Sequence, residues 1–430
     1  MGFAALSPSY GMLCVLCVLG GFACELHAAE WTVHPGESIA HAIARAAPGD
    51  TVRIERGRYE ENLVIAKPLT LRGLDRPTLS GGLRGDVIRV IAPDVTIENL
   101  IVIDSGADLS AQNAGIFIQK GADRATVRRC DLVYNLFGLY IEGVKDAQAI
   151  GNLIVGKRDL RSVHRGNGIQ VYNTRGARIE NNHIGFVRDA IYVDISHHAV
   201  FRGNRLHHSR YGTHYMNSHD NLWENNQTYR NRGGLALMEV RNQTVRGNYA
   251  WGNTDHGIML RTIQDSVIED NVVENNARGF FIYDAEYNVL RSNRVIGNQV
   301  GVHLWAGSVR NLVERNDFIG NREQIRYVAA RDETWGRDDG NYWSNYVGWD
   351  RDGNGIGDVP YEANDLVDRL SWRFPMMKLL LASPAVQTLR LVARQFPLLR
   401  APSIVDPKPR MRPWRADAHP LPQAKSGEQS

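Results

Sequence analysis

His214, Met216, Met238 and Met259 bring imidazole and thioether side chains together at intervals close to 22 residues, and His256 precedes Met259 by three. Thioether sulfur and imidazole nitrogen together favour a soft or borderline ion, with Cu(I) foremost. Methionines on a surface also make an adaptable protein-binding face, so both readings stand on these residues. A second candidate is the run Asp350, Asp352, Asn354, Ile356 and Asp358, with Gly355 between. It follows the first nine positions of a Ca2+ loop, in which alternate side chains and one carbonyl supply hard oxygen ligands. Tyr361 stands where that loop would carry a bidentate Glu, and the other reading is a Gly/Asp-rich turn without metal. His197, His198, His207, His208 and His219 crowd the same stretch and read as solvated corner residues.

The spacing that relates these residues runs through the whole chain. A small residue recurs in an apolar context at Gly138, Gly168, Ala190, Gly212, Gly234, Gly257, Gly279 and Gly301. In step with it runs Asn182, Asn204, Asn226, Asn248, Asn271, Asn293 and Asn316. Within each unit the apolar residues alternate with period two, which means strands and excludes helical repeats. A unit of about 22 residues with three short strands is one coil of a parallel β-helix, and the fold expected is an all-β, right-handed solenoid. Stacking places equivalent positions in columns about 4.8 Å apart, so a ligand set can be read along a column. Asn at an inward corner can satisfy its amide on the Asn of the next coil. The longer interval before Gly168 places an insertion at 156–166. Cys130 occupies an Asn-ladder position and reads as buried.

Counting from the small residue, the first and third positions point inward and the second and fourth outward. The outward strip then carries Tyr192 and Asp194, His214 and Met216, Ala236 and Met238, Met259 and Arg261, Phe281 and Tyr283, His303 and Trp305. A sugar-cleaving enzyme on such a face needs several converging carboxylates. The strip offers Asp194 and Arg261, read as lying in different columns three coils apart, so catalysis is the weaker reading.

With 430 residues, 43% hydrophobic and 23% charged, the chain is neither disordered nor a disulfide scaffold. A net charge of +3 does not argue for nucleic acid. Residues 1–29 read as a signal peptide, with an apolar core from Met12 to Cys24 and small residues at Ala28 and Ala29. Its removal leaves Cys130 alone, which excludes an internal disulfide. The solenoid is expected over 30–330, opened by a capping helix with Ile39, Ala42, Ile43 and Ala46 on one face. The period fails beyond 330, so 331–370 is read as a C-terminal cap holding the Asp/Gly-rich loop. Residues 371–430 are read as apolar helices and a mobile tail. Leu389, Val392 and Phe396 share a face, with Leu398 and Leu399 trailing, and suit either folding back on the barrel or docking to a membrane partner.

The opening PGESIAHAIARAAPGDTVRIERGRYEENLVIAKPLTLRG resembles the carbohydrate-binding and sugar-hydrolase β-helix family. The ending GNYWSNYVGWDRDGNGIGDVPY, with Phe374-Pro375 and the apolar helix after it, is more distinctive. It resembles the NosD family, periplasmic maturation factors for nitrous oxide reductase, and the likeness spans nearly the whole mature chain. The resemblance implies a non-catalytic periplasmic partner of an ABC-type permease and its cytoplasmic ATPase. It further implies a part in assembling a copper-sulfide centre, with copper received from a chaperone lipoprotein and passed to the apo reductase. The apolar C-terminal helices would then meet the permease. The copper ligands His214, Met216, Met238, Met259 and His256 are read from the strip itself.

Overall fold

Three-residue segments with an apolar centre, such as Arg178–Glu180 and His183–Gly185, are too short to bury a face alone and gain a core only by stacking. In the computed structural model they stack into three parallel sheets of 13, 12 and 13 strands. The described residues are 28–305, 307–328, 333–363, 367, 370, 374–381, 383–395 and 403–415. The expected leader core, Met12–Cys24, and Phe396, Leu398 and Leu399 lie outside them.

Each coil contributes one strand to each face. Face one carries Arg178–Glu180, Val200–Arg202 and Leu222–Glu224; face two carries His183–Gly185, Arg205–His207 and Gln227–Tyr229. Face three carries the longer strands Asp189–Asp194, Tyr211–Met216, Gly233–Arg241, His256–Gln264, Arg278–Tyr283 and Val300–Trp305. Strands pair with those of adjacent coils throughout, for example Ile191 with Thr213 and Thr213 with Leu235. The core is a column of Val, Ile and Leu, filled at one level by Phe201 and Trp223, stacked 4.0 Å apart.

The inward asparagines form the continuous ladder expected of them. Asn204 donates from its side chain to Asn226 Oδ1 at 2.9 Å and from its backbone N–H to the same oxygen at 3.0 Å. Asn226 repeats both bonds on Asn248. The left-handed φ sits on the residue before each rung, as at Asn181, Gly203 and Asn225, not on the ladder asparagine itself. The ladder begins at Cys130, whose N–H donates to Asn152 Oδ1 at 3.0 Å. That thiol is fully buried, and burial pushes its pKa up to about 12, so it is unreactive packing.

Outside, face one carries a column in which Glu180, Arg202, Glu224, Arg246, Glu269, Arg291 and Glu314 follow one another in register. Opposite charges thus neighbour each other along the stack, with Arg202 Nε 2.5 Å and Arg246 Nε 2.7 Å from the Glu224 carboxylate.

The start is capped as expected by α1 (Ile39–Arg45), which buries Ile39 and Ile43. Ser38 caps it, and the Glu61 carboxylate accepts the N–H groups of Ile39 and Ala40. At the other end the tail is not free: residues 403–415 return to the solenoid. Ile404–Asp406 forms a small sheet with Glu333–Thr334 and Tyr361–Ala363. Asp406 closes the Asn ladder by accepting from Asn341 Nδ2 at 3.0 Å and from Trp343 Nε1 at 3.0 Å. Trp414 bonds Asp317 and Gly340, anchoring the residues expected to move. The helix α2 (Pro384–Gln395) follows the 3-10 segment Pro375–Leu380. Phe374, Met376, Leu379, Leu391 and Val392 along this stretch are exposed. No helix among the described residues is long and apolar enough to cross a membrane.

Candidate metal centre on face three

On face three the register fixes two outward columns. Tyr192, His214, Ala236, Met259, Phe281 and His303 form one; Asp194, Met216, Met238 and Arg261 form the other. Met216 and Met238 are therefore direct neighbours across one rung, as the spacing predicts. Asp194 and Arg261 share that column, contrary to the expectation of two columns, with both methionines between them. Three coils still separate acid from base, and they do not form a catalytic pair.

Burial on this strip departs from expectation. Met238 and Met259 are only 7% and 8% exposed, and Ala236 is fully covered. Tyr211, Met216 and Phe281 pack over the three. A methyl at position 236 is what lets its longer neighbours close over it. The methionines are thus a roofed cluster with Met216 at its open edge, not a row of solvated side chains.

The two histidines bracket this cluster. His214 is half-buried, edge-on to Tyr192 with ring centroids 4.9 Å apart. Its Nδ1 lies 3.2 Å from Asp189 Oδ2 and 3.1 Å from Arg210 Nη2, which leaves Nε2 as its outward nitrogen. Asp189 is almost fully buried: burial works to raise its pKa, but the hydrogen bonds of His214 and Arg210 hold it below the usual carboxylate range. A buried carboxylate behind an imidazole is how metal-ligating histidines are commonly oriented. His256 opens its strand as expected but is buried, 2% exposed, and its Nε2 has no hydrogen-bond partner. The ring packs against Tyr211, with centroids 5.7 Å apart, above Gly233. A Cβ at Gly233 would stand 2.6 Å from both His256 Nε2 and the Tyr211 ring. An orphaned buried nitrogen costs about 1–3 kcal/mol unless something occupies it.

Among the described residues no three His, Cys, Asp or Glu side chains gather as a metal-holding group. The 350–358 loop bonds largely to itself. Asp350 accepts the N–H groups of Gly353, Asn354 and Gly355, while Asp358 accepts that of Arg351. Asn354 bonds Asp352, and Ile356 bridges to Arg410 in the returning tail. These carboxylates accept backbone N–H groups of the same loop, the bonds that hold the turn.

Of the corner histidines, His198 is exposed, His197, His208 and His219 are half-buried, and His207 is buried. His197 Nδ1 accepts the N–H of His219, and His219 Nδ1 accepts that of Arg241. His207 is buried, and burial followed by the neighbouring His183 and His208 pushes its pKa down to about 3. Alternation along one strand gives no sign of these contacts, which form between coils and around corners.

A family model described as "Periplasmic copper-binding protein (NosD)" matches residues 150–348, the stretch that carries every strip residue named above. A protein of Stutzerimonas stutzeri, "Probable ABC transporter binding protein NosD", is 38% identical over 376 residues, 84% of this chain and 86% of its own. One of the same name from Pseudomonas aeruginosa is 38% identical over 404 residues, covering 88% and 94%. Among solved structures, the A-module of the Azotobacter vinelandii mannuronan C-5 epimerase AlgE6 aligns with TM-score 0.54 at 16% identity, over 67% of this chain and 91% of that one. The Streptococcus pneumoniae adhesin PfbA aligns with TM-score 0.56 at 12% identity, over 67% and 94%. Those two likenesses show the β-helix fold alone. Identity of 38% over 84% and 88% of its length shows that the chain belongs to the NosD family of periplasmic copper-binding proteins.

Proposed function

We propose that this chain is a non-catalytic periplasmic copper carrier serving nitrous oxide reductase, and that face three is where it holds its cargo. The observation that carries this reading is the Met216–Met238 rung, with Met259 packed against it and His214 on the strand of Met216. Two thioethers one rung apart can close on one Cu(I), with Met259 beside them and His214, on the strand of Met216, offering an imidazole nitrogen. His256 lies over Gly233, about 16 Å along the strand from that rung, and stands outside the set. The roof of Tyr211 and Phe281 keeps water from the ion, while Met216 at the open edge is the point of exchange. A carrier must release what it takes, and a site opening onto the surface suits transfer between partners.

In this reading the leader exports the chain, and a chaperone lipoprotein loads it with Cu(I). The apo reductase then receives the ion for its copper-sulfide centre. The exposed residues between Phe374 and Val392 dock on an ABC-type permease, whose ATPase drives the carrier between partners. The relatives' description as transporter binding proteins supports that attachment. The Asp/Gly-rich loop serves the cap, either as a metal-free turn or with Ca2+ on the oxygens of Asp350, Asp352, Asn354, Ile356 and Asp358.

The test is reductase maturation in a strain lacking the endogenous carrier. Met216→Leu/Met238→Leu keeps the volume and apolar character of both side chains. It is expected to accumulate to normal levels while copper per reductase falls at least fivefold. Full copper loading by the double variant would overturn the site.

A further inference from the structure

Round one corner from the strip, face two carries three imidazoles in contact. His183 Nε2 lies 2.7 Å from His207 Nε2, and His207 Nδ1 lies 2.7 Å from His208 Nδ1. His207, in the middle, is 8% exposed, stacked on Tyr229 with centroids 5.2 Å apart. Its ring lies over Gly185, where a Cβ would come within 2.4 Å of Cε1. His208 is stacked on Phe186 at 4.8 Å, and the Arg158 guanidinium covers the far side of Phe186 at 3.8 Å. The same short segment, His207 to Met216, runs from this cluster into the strand bearing His214.

Two imidazole nitrogens facing each other at 2.7 Å share one proton, and a linear metal ion can take its place. We propose that His183 and His207 form a second, two-coordinate Cu(I) site through their Nε2 atoms, with His208 as a positioning residue. With metal–imidazole bonds of about 2.0 Å, the two nitrogens must separate to about 4 Å. On loading, the half-buried His183 supplies that displacement, and His207 stays locked in its stack. In the loaded pair His207 is the Nδ1–H tautomer, donating to His208 Nδ1 and turning its Nε2 lone pair toward the ion. His183 likewise moves its single N–H from Nε2 to Nδ1. No proton leaves the pair, and copper remains Cu(I).

This site involves two nitrogens rather than a three-residue cluster, in keeping with the absence of such clusters among the described residues. The pair's geometry stands independently of the strip; the choice of copper rests on the function proposed above. On the coil shared with His214, such a pair is a waypoint from which an ion passes around one corner to the thioethers.

The experiment is Cu(I) titration of the full chain against a colorimetric chelator, with X-ray absorption on the loaded samples. The expected stoichiometry is two. Met216→Leu/Met238→Leu should retain one equivalent with a two-coordinate, nitrogen-only spectrum. His183→Ala added to that background should lower the remaining affinity at least 100-fold, and His208→Ala about tenfold. His207→Phe preserves the stack and serves as the second variant should His183→Ala fail to fold. If both His183→Ala and His207→Phe leave copper stoichiometry unchanged, the pair is a hydrogen bond and the inference is overturned. If the histidine variants each lose one equivalent and the methionine variant loses none, the pair stands and the strip falls.

Discussion

Asn226→Ala is expected to destabilise the solenoid by about 2–4 kcal/mol. Asn226 is fully buried and holds four contacts: it donates to Phe201 O and Asn248 Oδ1, and its own Oδ1 accepts the backbone and side-chain N–H of Asn204. Alanine leaves the Asn204 backbone N–H without a partner, at about 1–3 kcal/mol, takes one of its donors from the Phe201 carbonyl, which keeps its place in the strand ladder, and opens a small void. Asn204 Nδ2 keeps Ile179 O, and Asn248 keeps its bond from the Asn226 backbone, so the loss is bounded. Because each coil leans only on its neighbours, the damage should centre on the coils around 204–248. Chemical denaturation of the variant measures the cost, and hydrogen exchange shows where it falls. A change below 1 kcal/mol would mean that the ladder is decoration on a core held by its aliphatic residues.

That ladder was legible in the sequence because it repeats at a countable interval and each rung has the same job. The small-residue ladder was legible for the same reason, and together they specify the coil. Other features obey a rule the eye does not count. The alternation Glu180, Arg202, Glu224, Arg246 on face one has the same period, but its members change sign at each step and so do not look like a repeat. Asp406 closes the ladder from 65 residues beyond Asn341, a partnership no local pattern announces. The neighbour relation of Met216 and Met238 followed from arithmetic. Their covering did not, since the roof consists of Tyr211 from a corner column and Phe281 from a later coil. The histidines show the same limit: His207 sits on an alternating strand, but its burial depends on Gly185 one coil away and Tyr229 one coil beyond.

The second large effect concerns the roofed cluster. Met238→Leu combined with Met259→Leu is expected to weaken Cu(I) binding at face three at least 100-fold with little loss of fold stability. Leucine fills the space of each methionine in the roofed cluster at a cost below about 1.5 kcal/mol. The copper-bound state, by contrast, loses two sulfur donors together. Chelator competition on the full chain separates the two effects when read beside thermal melting. An equal loss of stability and of copper affinity would mean that these residues only support the fold.

The central claim is that copper is held by thioether sulfur on face three. X-ray absorption at the copper edge of the Cu(I)-loaded full chain tests it most directly. The account predicts a sulfur shell at about 2.3 Å that disappears in Met216→Leu/Met238→Leu, leaving nitrogen alone. A spectrum with only nitrogen and oxygen neighbours, unchanged by the two substitutions, would contradict it.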